Sequence, residues 1–95
     1  MVTALVLLGV EREKISTVAE TIAAIPGVTE VYSVAGRYDL AVMIRVKEND
    51  QLAAVVTDRI RKVPGIQQSE TLIAFRAYSK YDLEAAFSIG IDQKR

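Results

Sequence analysis

Two tetrapeptides punctuate the chain at matching places in two similar halves: Ile25-Pro26-Gly27-Val28 and Val63-Pro64-Gly65-Ile66. They are offset by 38 residues (63 minus 25). Proline cannot continue a helical hydrogen-bond ladder, and glycine supplies the permissive backbone past the last turn, so each pair reads as a helix stop. Carried upstream, the same offset sets Val2 on Leu40, Val18 on Val56 and Ile22 on Ile60. Each half is then an apolar run, an amphipathic segment, a Pro-Gly stop and a second strand-like run. Two copies are too few for a solenoid, which needs at least about three units to bury one another.

The first amphipathic segment carries Ile15, Val18, Ala19, Ile22 and Ala23, the spacing of one helical face, with Glu13, Lys14, Thr17 and Glu20 off that stripe. In the second, Leu52, Val55, Val56, Ile60 and Val63 form the stripe, behind Asn49 or Asp50 as the expected N-cap. Strands are expected at Val2–Val10, Val28–Ala35, Leu40–Val46 and Ile66–Tyr78, all rich in Val, Ile, Leu, Thr and Tyr. Gly36-Arg37-Tyr38 is short enough to be a hairpin loop, which makes the second and third strands antiparallel neighbours. The pattern predicts an α+β fold of ferredoxin-like type, β-α-β-β-α-β, with a four-stranded antiparallel sheet and both helices on one face.

Sheets covered on one face normally alternate apolar and polar residues. Ala4-Leu5-Val6-Leu7-Leu8 and Leu40-Ala41-Val42-Met43-Ile44 do not alternate. Their second face is also apolar, and two helices cannot cover both. Patches of that size are rarely left in water on a monomer. The expectation is a homodimer packed sheet to sheet, with higher assembly open and a monomer with a greasy sheet as the alternative. Leu83, Ala86 and Phe87 fall on one side of a short helical stretch over 80–91, either an arm that docks on a neighbour or a segment that folds back. Residues 92–95 read as a tail, and 1–79 as the core of a single domain spanning 1–95.

Composition narrows the chemistry. Twelve basic and twelve acidic residues give zero net charge, and the basic ones are scattered. Gripping phosphates needs clustered Lys and Arg, so direct nucleic-acid binding and an anionic membrane surface are not expected. The chain has no histidine and no cysteine. Disulfides and thiolate chemistry are therefore absent, and zinc or copper would have to rest on carboxylates, which suit them poorly. No cofactor is implied. The opening Val2–Val10 run is nine residues, too short for a membrane span or a secretory signal, and a cytoplasmic protein is expected.

The polar equipment that remains is concentrated in Val34-Ala35-Gly36-Arg37-Tyr38-Asp39-Leu40. Gly36 lets backbone approach a ligand closely. Arg37 can hold a carboxylate in bidentate fashion, Asp39 can receive an ammonium, and Tyr38 offers an aromatic wall or a hydroxyl. Those groups complement an α-amino acid. The plainer alternative is a hairpin in which Gly36 takes positive φ, Arg37 is solvated and Asp39 caps the turn. Ser69 and Thr71, where Gln67-Gln68-Ser69-Glu70-Thr71-Leu72 turns from polar to apolar, can offer hydroxyls, or Thr71 is simply a strand former. Asp39 and Glu70 could pair across a cleft as an acid and a base, yet no phosphate loop, nucleophile elbow or metal motif accompanies them.

The ordered set of an apolar first strand, a helix, Ile25-Pro26-Gly27-Val28, Val34-Ala35-Gly36-Arg37-Tyr38-Asp39-Leu40, Val63-Pro64-Gly65-Ile66 and Thr71-Leu72 resembles the ligand-sensing domain of the Lrp/AsnC transcription regulators over about residues 1–90. The resemblance implies a ferredoxin-like domain that dimerises through its sheets, assembles into octamers or other higher oligomers of dimers, and binds an amino acid where dimers meet. It implies motif roles for Gly36, Tyr38, Asp39 and Thr71, while Arg37 falls at a variable position. Family members carry a helix-turn-helix before this domain, whereas Met1 here opens directly onto the first strand. The expectation is a stand-alone sensing module that is not an enzyme, does not read DNA itself, and can form mixed oligomers with a full-length regulator. The same fold also hosts small dimeric α+β barrel enzymes and purely structural oligomerisation domains, and both stay open as alternatives.

Overall fold

The Val2–Val10 run is the strand that pairs on both edges, and its apolar residues face both sides of the sheet. The computed structural model describes residues 1–78. Its single antiparallel sheet has β1 (Val2–Val10), β2 (Val28–Ser33), β3 (Leu40–Val46) and β4 (Ile66–Ala74) in the spatial order β2-β3-β1-β4. With α1 (Ile15–Ala23) between β1 and β2, and α2 (Asn49–Ala53) between β3 and β4, this is the expected ferredoxin-like architecture.

The register sorts every strand residue onto a face. Val6 lies opposite both Val42 and Thr71, and Leu8 lies opposite both Leu40 and Ser69. Ala4, Val6, Leu8 and Val10 of β1, with Leu40, Val42 and Ile44 of β3, point to the helices and are buried. Val18, Ile22 and Ile25 meet them from the first helical segment, and Leu52, Val55 and Ile60 from the second. Each such side chain taken fully out of water contributes about 1.5–3 kcal/mol, which makes this one-sided layer the source of stability.

α1 and the helical segment that continues from α2 to Lys62 both stop just before their Pro-Gly pairs, with Gly27 at φ +99° and Gly65 at φ +104°. At Gly27 packing adds a second demand, because a Cβ there would lie 3.0 Å from Val46 Cγ1 and 3.2 Å from Val55 Cγ2. The second helical segment departs from expectation in two ways. Its N-cap is Glu48, not Asn49 or Asp50, and Gln51 Oε1 accepts from the Lys47 N–H at 2.9 Å and the Glu48 N–H at 3.0 Å. Beyond Ala53 the backbone widens into a π-helical stretch, Ala54–Arg59, before a 3₁₀ turn, Ile60–Lys62. The reason lies in the spacing of Val55 and Ile60, which are both buried but five residues apart. Five residues of α-helix turn through about 500°, well off one face, whereas i→i+5 bonding brings them together. The Ile60 N–H donates to Val55 O and Val56 O.

Two strands are shorter than the sequence suggests. β2 ends at Ser33 instead of Ala35, and β4 ends at Ala74 instead of Tyr78. The far face of the sheet, free of helices, carries Leu5 and Leu7, Ala41 and Met43, Tyr32, and Leu72. The expected arm over 80–91 and tail over 92–95 lie outside the described residues. No helix among the described residues is long and apolar enough to cross a membrane.

Candidate functional site

β1 outruns β3 by two residues, because Leu8 is already opposite Leu40, the first residue of β3. Its last backbone groups therefore need partners from elsewhere, and the β2–β3 loop supplies them. The loop spans residues 34–39 and is closed by the Val34 N–H donating to Asp39 O at 3.0 Å. The Asp39 N–H donates to Leu8 O at 2.8 Å, and the Val10 N–H donates to Asp39 Oδ2 at 2.8 Å. Asp39 thus continues the ladder past the end of β3, using main chain for one bond and its carboxylate for the next. Oδ1 is that carboxylate's remaining oxygen, and a second acceptor for any ligand at this end of the sheet.

Gly36 stands at φ +127°, a conformation that L side chains rarely adopt, and no heavy atom lies within 4 Å of where its Cβ would be. Its backbone is bare and faces open space. Arg37 is exposed, and Tyr38 and Asp39 are partly buried at the loop's foot. The Tyr38 hydroxyl donates to Glu70 Oε1 at 2.7 Å, reaching from the loop to β4 across the end of β1. That hydrogen bond holds the phenol pKa above its ordinary value, with desolvation and the Glu70 charge adding and Arg37 opposing. Asp39 and Glu70, the two carboxylates the sequence sets near strand ends, are thus engaged separately: one by a main-chain N–H, the other by a phenol.

Not every candidate residue shares this spot. Glu70 is opposite Leu7 on the helix-free face, and residues two apart alternate back to it. Ser69 and Thr71, opposite Leu8 and Val6, therefore point to the helix side. Ser69 sits beside Arg61 and Gln68. Thr71 lines an apolar groove of about 500 Å³ with Leu52, Val56 and Ile73. Leu40 is fully buried and serves the core, and Val34 is exposed at the loop's start. The structure thus brings Gly36, Arg37, Tyr38 and Asp39 together with Glu70 and the end of β1, and sets Ser69 and Thr71 on the other side of β4.

Two participants escape a reading by motif: Val10, whose N–H binds Asp39, and Gln68. A Cβ on Gly9 would lie 2.6 Å from Gln68 Cγ, so that side chain lies across Gly9 beside the loop. The clue available in the sequence is Gly9 itself, a glycine in an otherwise apolar strand, which marks a bulge or a close approach. The register shift between Gly9 and Val10 is that bulge. Among the described residues no group of His, Cys, Asp and Glu side chains is placed to hold a metal ion.

With this geometry in hand, similarity to known proteins places the chain. Residues 3–83 match the family model of the Lrp/AsnC ligand binding domain. The solved structure of TTHA0845 from Thermus thermophilus superposes with a TM-score of 0.79 at 44% identity, covering 84% of this chain and 100% of that one. Hypothetical protein PHS023 from Pyrococcus horikoshii superposes with a TM-score of 0.75 at 37% identity, over 85% of this chain and 98% of that one. The uncharacterized HTH-type transcriptional regulator PH1916 of Pyrococcus horikoshii is 41% identical over 58 residues, 61% of this chain but 39% of the regulator. The aligned part is thus well under half of that regulator's length. On the match of its ordered segments, its fold and its hairpin, the chain belongs to the Lrp/AsnC ligand-binding domain family.

Proposed function

We propose that this chain is a non-catalytic sensing and assembly module: it binds an α-amino acid at the hairpin end of the sheet and pairs with other copies through the helix-free face. Membership of a ligand-binding family of transcription regulators sets the general role. The observation that carries the specific reading is Gly36, where no atom beyond its chain neighbours lies within 4 Å of a Cβ position, set in one loop with Arg37, Tyr38 and Asp39, whose Oδ1 is left over from the bond to Val10. Exposed N–H groups and Arg37 suit a carboxylate, and Asp39 suits an ammonium. The hairpin end is open to its surroundings in one chain, so a neighbouring copy is the natural wall. A full-length regulator carrying the same domain is the partner expected for a mixed oligomer, with no direct contact to DNA from this chain.

A thermal-shift screen against the twenty amino acids, with oligomer mass read by light scattering on the same samples, tests this reading. A ligand that binds only the folded state stabilises it by about 2.7 kcal/mol at a hundred times its dissociation constant. The expected result is stabilisation by one chemical class of amino acid, weakened in Asp39→Asn. The amide keeps an acceptor for the Val10 N–H and removes the charge, so loss of binding reports on the ligand and not on the fold. No stabilisation at millimolar concentrations would reject the amino-acid reading.

A further inference from the structure

On the helix-bearing side, a seam is left open along the outer strand. Thr71 and Ile73 of β4 are opposite Val6 and Ala4, so they point to the helix side, and Phe75 follows them just past the strand's end. With Leu52 and Val56 of the second helical segment they line the apolar groove of about 500 Å³. Nothing among the described residues fills it, and Ile73 is 55% and Phe75 99% exposed. Apolar surface gathered in one groove is surface that the chain gains by covering. Tyr78 is the last described residue, and 79–95 follow it. In that stretch Leu83, Ala86, Phe87 and Ile91 fall at i, i+3, i+4 and i+8, one helical stripe, with Ser88 and Asp92 opposite. Most of the stripe lies past residue 83, where the match to the family model ends.

We infer that residues 83–91 seat as a further helix in this groove of their own chain, antiparallel to β4, with Leu83 towards Phe75 and Ile91 towards Thr71. The lengths agree. Leu83 to Ile91 rises about 12 Å as helix at 1.5 Å per residue, and Thr71 to Phe75 spans about 13 Å as strand at 3.3 Å per residue. The connection suffices too. Neighbouring elements are commonly joined by about 2–6 residues, so 76–82 is long enough to turn the chain back along β4. The groove is on the opposite face from the one left for a second copy, so this seating is independent of the pairing and amino-acid readings. A terminal helix held along one row opens at far lower free energy than the sheet unfolds. Its seating is therefore read by occupancy, and it leaves urea unfolding of the core nearly unmoved.

The test is hydrogen exchange, read peptide by peptide by mass spectrometry, on the full chain as wild type, Phe87→Asp, Ile73→Asp, and the two variants unfolded and refolded together. Ala53→Glu, on the exposed helix wall of the groove, blocks the site from the other side should Ile73→Asp disturb β4. Unchanged exchange in β1 and β3 peptides checks that each variant keeps the fold. The expected result is that 83–91 exchanges about tenfold or more slowly in the wild type than in any variant, and that the mixture does not restore this protection. Protection restored in the mixture would overturn the proposal in favour of a segment from a second copy, since the intact segment of one chain then meets the intact groove of the other. Exchange of 83–91 at the unstructured rate in the wild type would overturn it outright. Protection that Phe87→Asp removes but the groove variants keep would overturn it too, by seating the segment elsewhere.

Discussion

β1 and β4 are neighbours of equal length, nine residues each, yet they live in different environments. Along β1, every second residue from Ala4 is buried against the helices and the others, Gly9 apart, are half-covered. Along β4, only Ile66 is partly covered, and all that follow are exposed. Both strands hydrogen-bond to each other, so the difference is not one of pairing. It comes from position: β1 lies inside the sheet beneath both helices, while β4 is an edge strand that the helices border but leave largely open. Stability is concentrated in β1 and β3, while β4 and most of the 34–39 loop lie open at the surface.

The largest effects should fall on the β1 side. Leu8→Ala removes a fully buried side chain and should cost about 2–5 kcal/mol in urea unfolding. Ile73→Ala on β4, at 55% exposure, should cost less than about 1 kcal/mol. Equal losses would show that β4 is covered in solution and break the contrast. Between these lies Asp39→Ala, which leaves the Val10 N–H unpaired and should cost about 1–3 kcal/mol, with Asp39→Asn recovering most of it. Gly36→Ala should cost about 1–2 kcal/mol from backbone strain alone, since no atom stands near its Cβ. If that variant unfolds outright, the loop is packed more tightly than its open surroundings imply.

The smallest effect is at Tyr38, whose exposed bond to Glu70 should leave the urea midpoint unmoved on Tyr38→Phe. Its signature is titration. The folded pKa is raised, so the stabilising contribution is present below the ordinary phenol pKa and is lost as pH rises through the raised one. Tyrosinate absorbance, wild type minus Tyr38→Phe, should show Tyr38 losing its proton at higher pH than it does in Glu70→Gln. An unchanged titration in Glu70→Gln would mean that the carboxylate does not hold the phenol.

Much of this was legible in residues. The Pro-Gly stops located both helix ends, and the unbroken apolar runs of β1 and β3 located the centre of the sheet. The short loop before Leu40 made β2 and β3 partners. What escaped depended on three-dimensional register. The five-residue spacing of Val55 and Ile60 does encode the π-helical widening, but in a stripe that also contains Val56 it passes for ordinary α periodicity. Asp39 reads as a ligand's carboxylate or a cap on its own turn, and its bond to the Val10 N–H appears only once β1 proves longer than β3. Thr71 stands one residue from Glu70 in sequence, and the period of two sends them to opposite faces of β4.

The central claim is that the helix-free face is made to be covered by another copy of the same chain. Light scattering on the purified protein over a wide concentration range measures this most directly. A mass of two chains or a multiple of two, falling towards one chain when Leu5→Glu puts a charge in the apolar middle of the face, is the predicted result. A single-chain mass at every concentration would contradict it.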